Sequence, residues 1–305
     1  MRYQKEYADF LRKPIVLSRD VRAVFDFSGG AAGPILKKTL SGVHRISAFY
    51  VNAGLDGAFS SRNPNPLAPH ATDALARAVI RHRADLGIIF DADGDRMFVV
   101  DENGKLLDPD ITAYLLAMHL KPKTIVYDIN TGFLIRKSLQ RETQAKMKEE
   151  RVGHYFIKRT MRRINADLGI EHSGHYYFKD FFFCDSGLFA AALFLSAFSS
   201  LPYRLSDFAA LLPGVSRIRE TNFKIKHDPE AAISALLSAF SRMHPRRVSR
   251  RDGIYMEFKD WWFSVRPSNT EPLLRLNLEA RGKKELKEKE KRISALIRPF
   301  IVGRS

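Results

Sequence analysis

Only one cysteine, Cys184, occurs in the 305 residues, which excludes an internal disulfide and suits a reducing compartment. Long apolar runs are missing too. The longest, near Leu188 to Phe198, is interrupted by small and polar residues and is too short to span a bilayer. The N-terminus, MRYQKEYADFLRKP, has no apolar h-region and so is not a secretory signal. These absences predict a cytoplasmic protein with no membrane partner. Acidic residues are in deficit: 34 Asp and Glu stand against 50 Lys and Arg, a net charge of +16.

Such a charge raises the question of nucleic acid. The basic residues are spread along the whole chain, however, and the densest clusters are short: Lys158-Arg159 with Arg162-Arg163, Arg246-Arg247 with Arg250-Arg251, and Lys283 to Arg292. The last alternates Lys with Glu at helical spacing, the pattern of an ion-paired solvated face. No zinc-ligand spacing or DNA-reading helix accompanies them. Positive charge equally suits small anionic substrates, and nucleic acid is not the expected partner.

What is present is a regular rhythm. An apolar run, Val21 to Phe27, enters a Ser28-Gly29-Gly30 turn; Asp73 is expected to cap a helix with Leu75, Val79 and His82 on its inner face. Leu86 to Phe90 reads as a buried strand that breaks at Asp91 and resumes at Met97 to Val100. A second α/β unit starts near Pro109: helix Ile111 to Leu120, strand Thr124 to Asp128, then helices after Gly132, after Gly153 and from Gly187. Ile157, Met161 and Ile164 share one face of the middle helix. Leu211-Leu212-Pro213-Gly214 is the next boundary. Beyond it, Thr221 to Lys226 reads as a strand and Pro229 opens a helix through Phe240. Alternating apolar positions at Ile254, Met256 and Phe258, in Trp261-Trp262-Phe263 and at Leu274, Leu276 and Leu278 predict strands. A closing helix aligns Leu286, Ile293, Leu296 and Phe300. The fold class predicted is α/β: two consecutive α/β mixed-sheet domains (1–108 and 109–213), followed by a smaller antiparallel α+β C-terminal domain (214–305).

Three segments carry chemistry. The first is Asp91-Ala92-Asp93-Gly94-Asp95-Arg96 at the end of a buried strand. Three carboxylates at alternate positions of a tight loop repel one another unless a cation joins them, and a hard divalent ion such as Mg²⁺ takes oxygen ligands. An EF-hand reading, with Glu102 twelfth from Asp91, fails because Arg96 fills the position that needs glycine and the flanks are strands. The second is Glu171-His172-Ser173-Gly174-His175, where a carboxylate, a hydroxyl and an imidazole at alternate positions suit vicinal sugar hydroxyls; a surface loop with two incidental histidines is the plainer alternative. The third is Arg266-Pro267-Ser268-Asn269-Thr270-Glu271-Pro272 between two strands, either an anion cradle or an ordinary hairpin turn.

Together, in this order and spacing, the three resemble the metal-binding, sugar-specificity and phosphate-binding loops of the α-D-phosphohexomutase superfamily, most closely its phosphomannomutase/phosphoglucomutase branch. Asp56-Gly57 through Asn63-Pro64-Asn65-Pro66, Arg136 after Thr131-Gly132, and Arg151-Val152-Gly153-His154 are lesser echoes. Ile170 departs from the glycine the family usually has before the glutamate. The resemblance covers nearly the whole chain and corresponds to the second, third and fourth of the family's four domains, with a linker helix at the start.

That resemblance implies reversible transfer of phosphate between O1 and O6 of a hexose through a bisphosphate intermediate. It assigns Asp91, Asp93 and Asp95 to Mg²⁺, Arg96 to charge support, and Glu171, Ser173 and His175 to the sugar, with His175 also the candidate general base. Arg266, Ser268, Asn269 and Thr270 would grip the non-reacting phosphate, and Arg136, Arg151 and His154 would line the cleft. Ligands are then mannose or glucose 1- and 6-phosphates. The family's phosphoserine sits in a Ser-His-Asn-Pro loop of its first domain; here only a lookalike, Ser61-Arg62-Asn63-Pro64, occurs, inside the second-domain stretch. The chain is therefore expected to be inactive alone, to bind Mg²⁺ weakly, and to work with a first domain supplied either as a separately encoded N-terminal partner or by sequence lost in truncation. The alternative is a catalytically inactive phosphosugar-binding protein.

Overall fold

The computed structural model describes residues 2–226, 228–268 and 271–302. The chain divides into two compact units, Met1–Glu149 with Gly153–Leu212, and Glu150–Val152 with Pro213–Ser305.

The first unit opens with α1 (Arg2–Arg12), followed by β1 (Val21–Asp26), α2 (Ala32–Leu40), β2 (Ile46–Val51), α3 (Asp73–His82), β3 (Leu86–Phe90) and β4 (Met97–Asp101). These strands form a mixed sheet in the order β2-β1-β3-β4, with β1 parallel to β2 and β3, and β4 antiparallel to β3. A strand covered on both faces must be apolar on both. In β3, Leu86, Ile88 and Phe90 join one core cluster while Ile89 joins Leu75 and Val79 of α3 in another. Asp73 does not cap α3. Thr72 holds the cap position without a side-chain bond, and Asp73 lies in the first turn, accepting from His70 Nδ1. His82 is not core either; it stacks on Phe49 with ring centroids 4.1 Å apart.

The same unit continues with α4 (Pro109–Leu120), β5 (Thr124–Asp128), a π-helical turn over Leu134–Leu139, α5 (Gln140–Thr143), β6 (Lys146–Glu150), α6 (His154–Ile164), β7 (Leu168–Ile170), β8 (Tyr176–Phe178), β9 (Cys184–Asp185), α7 (Gly187–Ser199) and α8 (Leu205–Leu211). The second mixed sheet is ordered β6-β5-β7-β8-β9, with β5 parallel to β7 and β8 antiparallel to both neighbours. On α6, Ile157 and Met161 are buried as expected, but Ile164 at the last turn is exposed and Thr160 takes the inner position.

Every residue of α7 is buried, and Ser186 caps it by accepting from the Phe189 N–H. The helix packs against α1, α4 and β4, so one apolar cluster runs from Leu11 to Leu205 and unites both sheets. Its two inward serines are satisfied by the segment after α1: Ser196 Oγ accepts from Val16 N–H at 2.8 Å and donates to Pro14 C=O at 2.7 Å. No described helix is long and apolar enough to cross a membrane.

The second unit contains β10 (Ser216–Lys224), α9 (Pro229–Ser241), β11 (Arg247–Ser249), β12 (Ile254–Glu257), β13 (Trp261–Pro267), β14 (Leu273–Ala280) and α10 (Lys283–Ile297). Its sheet, β10-β14-β13-β12-β11, is antiparallel throughout. β10 begins five residues earlier than the apolar pattern predicts. That extension mixes charged with uncharged residues, and Arg217 enters the sheet because Glu279 of β14 neutralises it at 2.8 Å. β13 is buried on both faces over Trp261–Arg266, and the inner face of α10 is Leu286, Ile293 and Ile297; Phe300 belongs to a 3₁₀ turn beyond it. Two mixed α/β sheets followed by an antiparallel α+β sheet is the class expected from the sequence.

Candidate functional site

The loop after β3 leaves the C-terminal edge of the parallel strands, where α/β sheets open their binding crevices. Asp91 is buried. Its Oδ1 accepts the N–H groups of Gly94 at 3.1 Å and Arg96 at 3.2 Å, and its Oδ2 accepts Arg96 Nε at 2.7 Å. Burial pushes its carboxyl up, the Arg96 guanidinium opposes that, and the Asp95 charge adds to it. Two backbone approaches pin the loop: Ala31 N–H donates to Ala92 C=O at 2.9 Å, and Gly187 N–H to Gly94 C=O at 3.0 Å. Both need glycine nearby. A Cβ on Gly30 would sit 2.2 Å from Ala92 O, and one on Gly187 2.6 Å from Arg96 O.

Glu171 to His175 form the tight connection between β7 and β8. This connection joins the aspartate loop directly: Met97 N–H donates to Gly174 C=O at 3.1 Å, and Arg96 and His175 form an antiparallel bridge. His175 Nε2 lies 3.5 Å from Asp95 Oδ2, and its Nδ1 is 2.8 Å from Ser173 Oγ and 3.6 Å from Glu171 Oε2. Burial disfavours the imidazolium, but Asp95, Glu171 and Asp185 outweigh it and hold its pKa above the ordinary value.

Glu171 is 2% exposed and spends its oxygens internally, accepting from Gly153 N–H at 2.7 Å and from the Tyr177 hydroxyl. Burial and the Glu171 charge push the Tyr177 phenol far up, so it stays a neutral donor.

Among the described residues, three groups of side chains have ligand atoms within 4.8 Å of one another, as a metal site requires: Asp91 with Asp93 and Asp95; Asp95 with His175 and Asp185; and Asp108 with Asp110 and His172. The first fits a hard divalent cation. Its donors are all oxygen, and Asp95 Oδ1 is buried yet receives no hydrogen bond from any described residue. The cation would answer that orphaned charge. The third group went unread in the sequence, because Asp108-Pro109-Asp110 signals a helix start and does serve as one: Asp108 caps α4. Nearby Asp128 is fully buried, and burial with the Glu171 charge raises its pKa to about 6.

Other expected site residues are distributed unevenly. Arg136 turns inward, donating to Ile129 C=O at 2.5 Å and Thr131 C=O at 2.6 Å and pairing with buried Glu149 at 3.2 Å. His154 is exposed at the first position of α6. Arg151 groups with the second unit, where it donates to Arg251 C=O at 3.2 Å.

In the second unit, Arg266 is the penultimate residue of β13, two residues before Ser268, whose N–H donates to Leu273 C=O at 2.8 Å. Asn269 and Thr270 lie outside the described residues. A further cation, Arg275, joins the turn from β14. It donates to Ser268 Oγ at 3.1 Å, and it and Arg266 share Glu220 at 3.2 and 3.5 Å. The Nε atoms of both arginines are buried without a described acceptor. Arg275 was hidden in the alternation of β14, where it occupies an outward position.

Comparison with known proteins agrees with this layout. Models of the phosphoglucomutase/phosphomannomutase family match at residues 5–104 (alpha/beta/alpha domain II), 108–214 (alpha/beta/alpha domain III) and 220–296 (C-terminal domain). Phosphomannomutase of Methanocaldococcus jannaschii is 36% identical over 297 residues, covering 96% of this chain and 65% of that protein. The Salmonella typhimurium phosphomannomutase is 35% identical over 278 residues, covering 86% of this chain and 59% of that one. The chain thus spans somewhat under two thirds of these relatives. A phosphoglucomutase/phosphomannomutase family protein from Burkholderia thailandensis has a similar structure, with a TM-score of 0.86 at 25% identity over 97% of this chain and 64% of that one. An Aspergillus fumigatus N-acetylphosphoglucosamine mutase, solved with GlcNAc-6P and magnesium, shares the fold at a TM-score of 0.69 and 15% identity. The chain belongs to the phosphoglucomutase/phosphomannomutase family.

Proposed function

We propose that these residues form the metal-, sugar- and phosphate-binding part of a phosphohexomutase that interconverts hexose 1-phosphate and hexose 6-phosphate through a bisphosphate, with mannose or glucose phosphates as ligands. The observation that carries this reading is the junction of the aspartate loop with the Glu171–His175 connection through Arg96 and His175. It brings a cation site and a candidate proton acceptor within one side chain of each other. The phosphomannomutase relatives and the GlcNAc-6P and magnesium complex of the Aspergillus enzyme support the same chemistry.

Phosphoryl transfer asks for in-line geometry and for balance of the charge on the moving group. Asp91, Asp93 and Asp95 would hold Mg²⁺, which when bound supplies that balance. Arg96 would keep Asp91 ionised and aimed. His175, buried among carboxylates, would accept the proton of the attacking hydroxyl, while Ser173 bonds a sugar hydroxyl and Glu171 fixes the connection from beneath. Arg266, Ser268, Asn269 and Thr270 would hold the distal phosphate, with Arg275 beside them; Arg151 and His154 would line the approach. Arg136 would act by fixing the loop after β5. The working division is into domains 1–108, 109–213 and 214–305.

The phosphoserine that starts the relay is taken to come from a first domain outside these residues. We expect no turnover by the 305 residues alone, and turnover of glucose 1-phosphate once a purified phosphorylated first domain is mixed in. Absence of turnover in every combination, with phosphosugar binding intact, favours the second reading of a phosphosugar-binding protein without mutase activity.

A further inference from the structure

The segment from Asn52 to Thr72 links β2 to α3 without regular secondary structure, and most of it is exposed. One of its side chains behaves differently. The Arg62 side chain is 6% exposed and pairs with Asp26, whose side chain is fully buried at the end of β1. Arg62 Nε and Nη2 donate to Asp26 Oδ1 at 3.1 and 3.0 Å, and Nη2 also donates to Phe90 C=O at 2.9 Å. Asp26 is completed by Ser28 N–H at 2.9 Å and Asn52 Nδ2 at 3.0 Å. Phe90 is the last residue of β3, and its carbonyl immediately precedes Asp91. A single guanidinium therefore ties together the C-terminal ends of two neighbouring parallel strands. Three residues further on, Asn65 Oδ1 accepts Arg96 Nη1 at 3.3 Å, and Arg96 is the partner of Asp91. The segment touches the aspartate loop at both of its ends.

We propose that Arg62 is a positioning residue for the Asp91–Asp95 loop, fixing the strand ends so that the three carboxylates converge on one divalent cation. The proposal rests on the metal reading of that loop. A buried ion pair is poor evidence for stability, since a well-packed apolar pair of similar volume often serves as well. What an apolar pair cannot supply is direction: the rigid fork of a guanidinium holds a carboxylate and a carbonyl in one plane. That property matters where the next residue is a ligand.

The test is Mn²⁺ binding by the full chain, followed by electron paramagnetic resonance of the free ion, at a temperature where every variant is folded. The variants are Asp93→Asn, Arg62→Lys and the double variant Asp26→Asn/Arg62→Met. The double variant removes both charges together, so no uncompensated ion is left in the interior. We expect it to melt close to the parent yet bind Mn²⁺ at least fivefold more weakly. Arg62→Lys, which keeps the charge but not the fork, weakens binding at least threefold and decides the matter where the double variant does not fold. Affinity within twofold of the parent in the folded Arg62 variants, with Asp93→Asn binding abolished, overturns the positioning role alone. A parent that binds no Mn²⁺, or an Asp93→Asn variant that binds like the parent, overturns the metal reading and this proposal with it.

Discussion

The His175 Nε2 atom lies 3.5 Å from Asp95 Oδ2, across the junction of the two loops. Because burial alone would lower the imidazole pKa, its net rise reports that Asp95, Glu171 and Asp185 outweigh desolvation. A histidine raised on folding contributes stability that is fully present below its unfolded pKa, near 6.5, and is lost as pH rises through the folded value. An NMR titration of the metal-free protein should give a His175 midpoint above 6.5, and Asp95→Asn should bring that midpoint down. A midpoint indifferent to Asp95 contradicts the coupling.

Asp128 shifts stability in the same direction, although there it is the neutral form that folding favours. Its folded pKa of about 6 exceeds the 3.8 of an unperturbed aspartate, so the folded state favours the protonated form. Stability should fall as pH rises from 3.8 through about 6, and the cost is complete above that. Two pKa units correspond to at most about 3 kcal/mol. Asp128→Asn retains an acceptor for Asn130 N–H and Thr131 Oγ1. It should raise Tm at pH 7.5 and leave it nearly unchanged at pH 4; thermal melts at the two pH values check this.

Arg136 gives a test of structural against ligand-binding roles. Arg136→Met leaves Glu149 buried without its guanidinium, a loss of about 3–5 kcal/mol. Chemical denaturation should register that loss, and Glu149→Gln in the same chain should recover a large part of it. Mn²⁺ affinity should stay within twofold of the parent. Full stability in Arg136→Met would show that the inward bonds do not hold the loop.

Gly30→Ala should act on the aspartate loop without touching a carboxylate. Its new Cβ would meet Ala92 O at 2.2 Å, so the backbone must move. Overpacking of this kind costs about 1–3 kcal/mol. Metal affinity should drop more than tenfold while the fold survives, as measured by Mn²⁺ titration beside circular dichroism.

Much of this was legible in the sequence because the parallel strands are apolar on both faces and end in polar turns. Leu86–Phe90 and Thr124–Asp128 have the bounds their residues predict, and the two loops that meet at His175 each carry chemistry-bearing residues at close spacing. What escaped depended on distant partners. Arg217 reads as loop until Glu279 is brought opposite it. Arg136 gives no sign in the sequence of its internal partners, Glu149 and two backbone carbonyls. Arg62 reads as part of a phosphoserine lookalike, and only folding shows that its partner is Asp26, 36 residues earlier. The Asp108, Asp110 and His172 group combines a helix start with a residue 62 positions away from Asp110. Local patterns specify elements; pairings between charged residues emerge only when the sheets form.

In the proposed mutase reading, the aspartate loop and the Glu171–His175 connection form one site for a divalent cation and a sugar phosphate. Paramagnetic relaxation tests it most directly: the ³¹P signals of glucose 1,6-bisphosphate are followed while Mn²⁺ is added to the protein. Strong broadening of at least one phosphate signal is expected with the parent chain, and its loss in Asp93→Asn. A bisphosphate that binds without enhanced relaxation, or broadening that persists in Asp93→Asn, would contradict it.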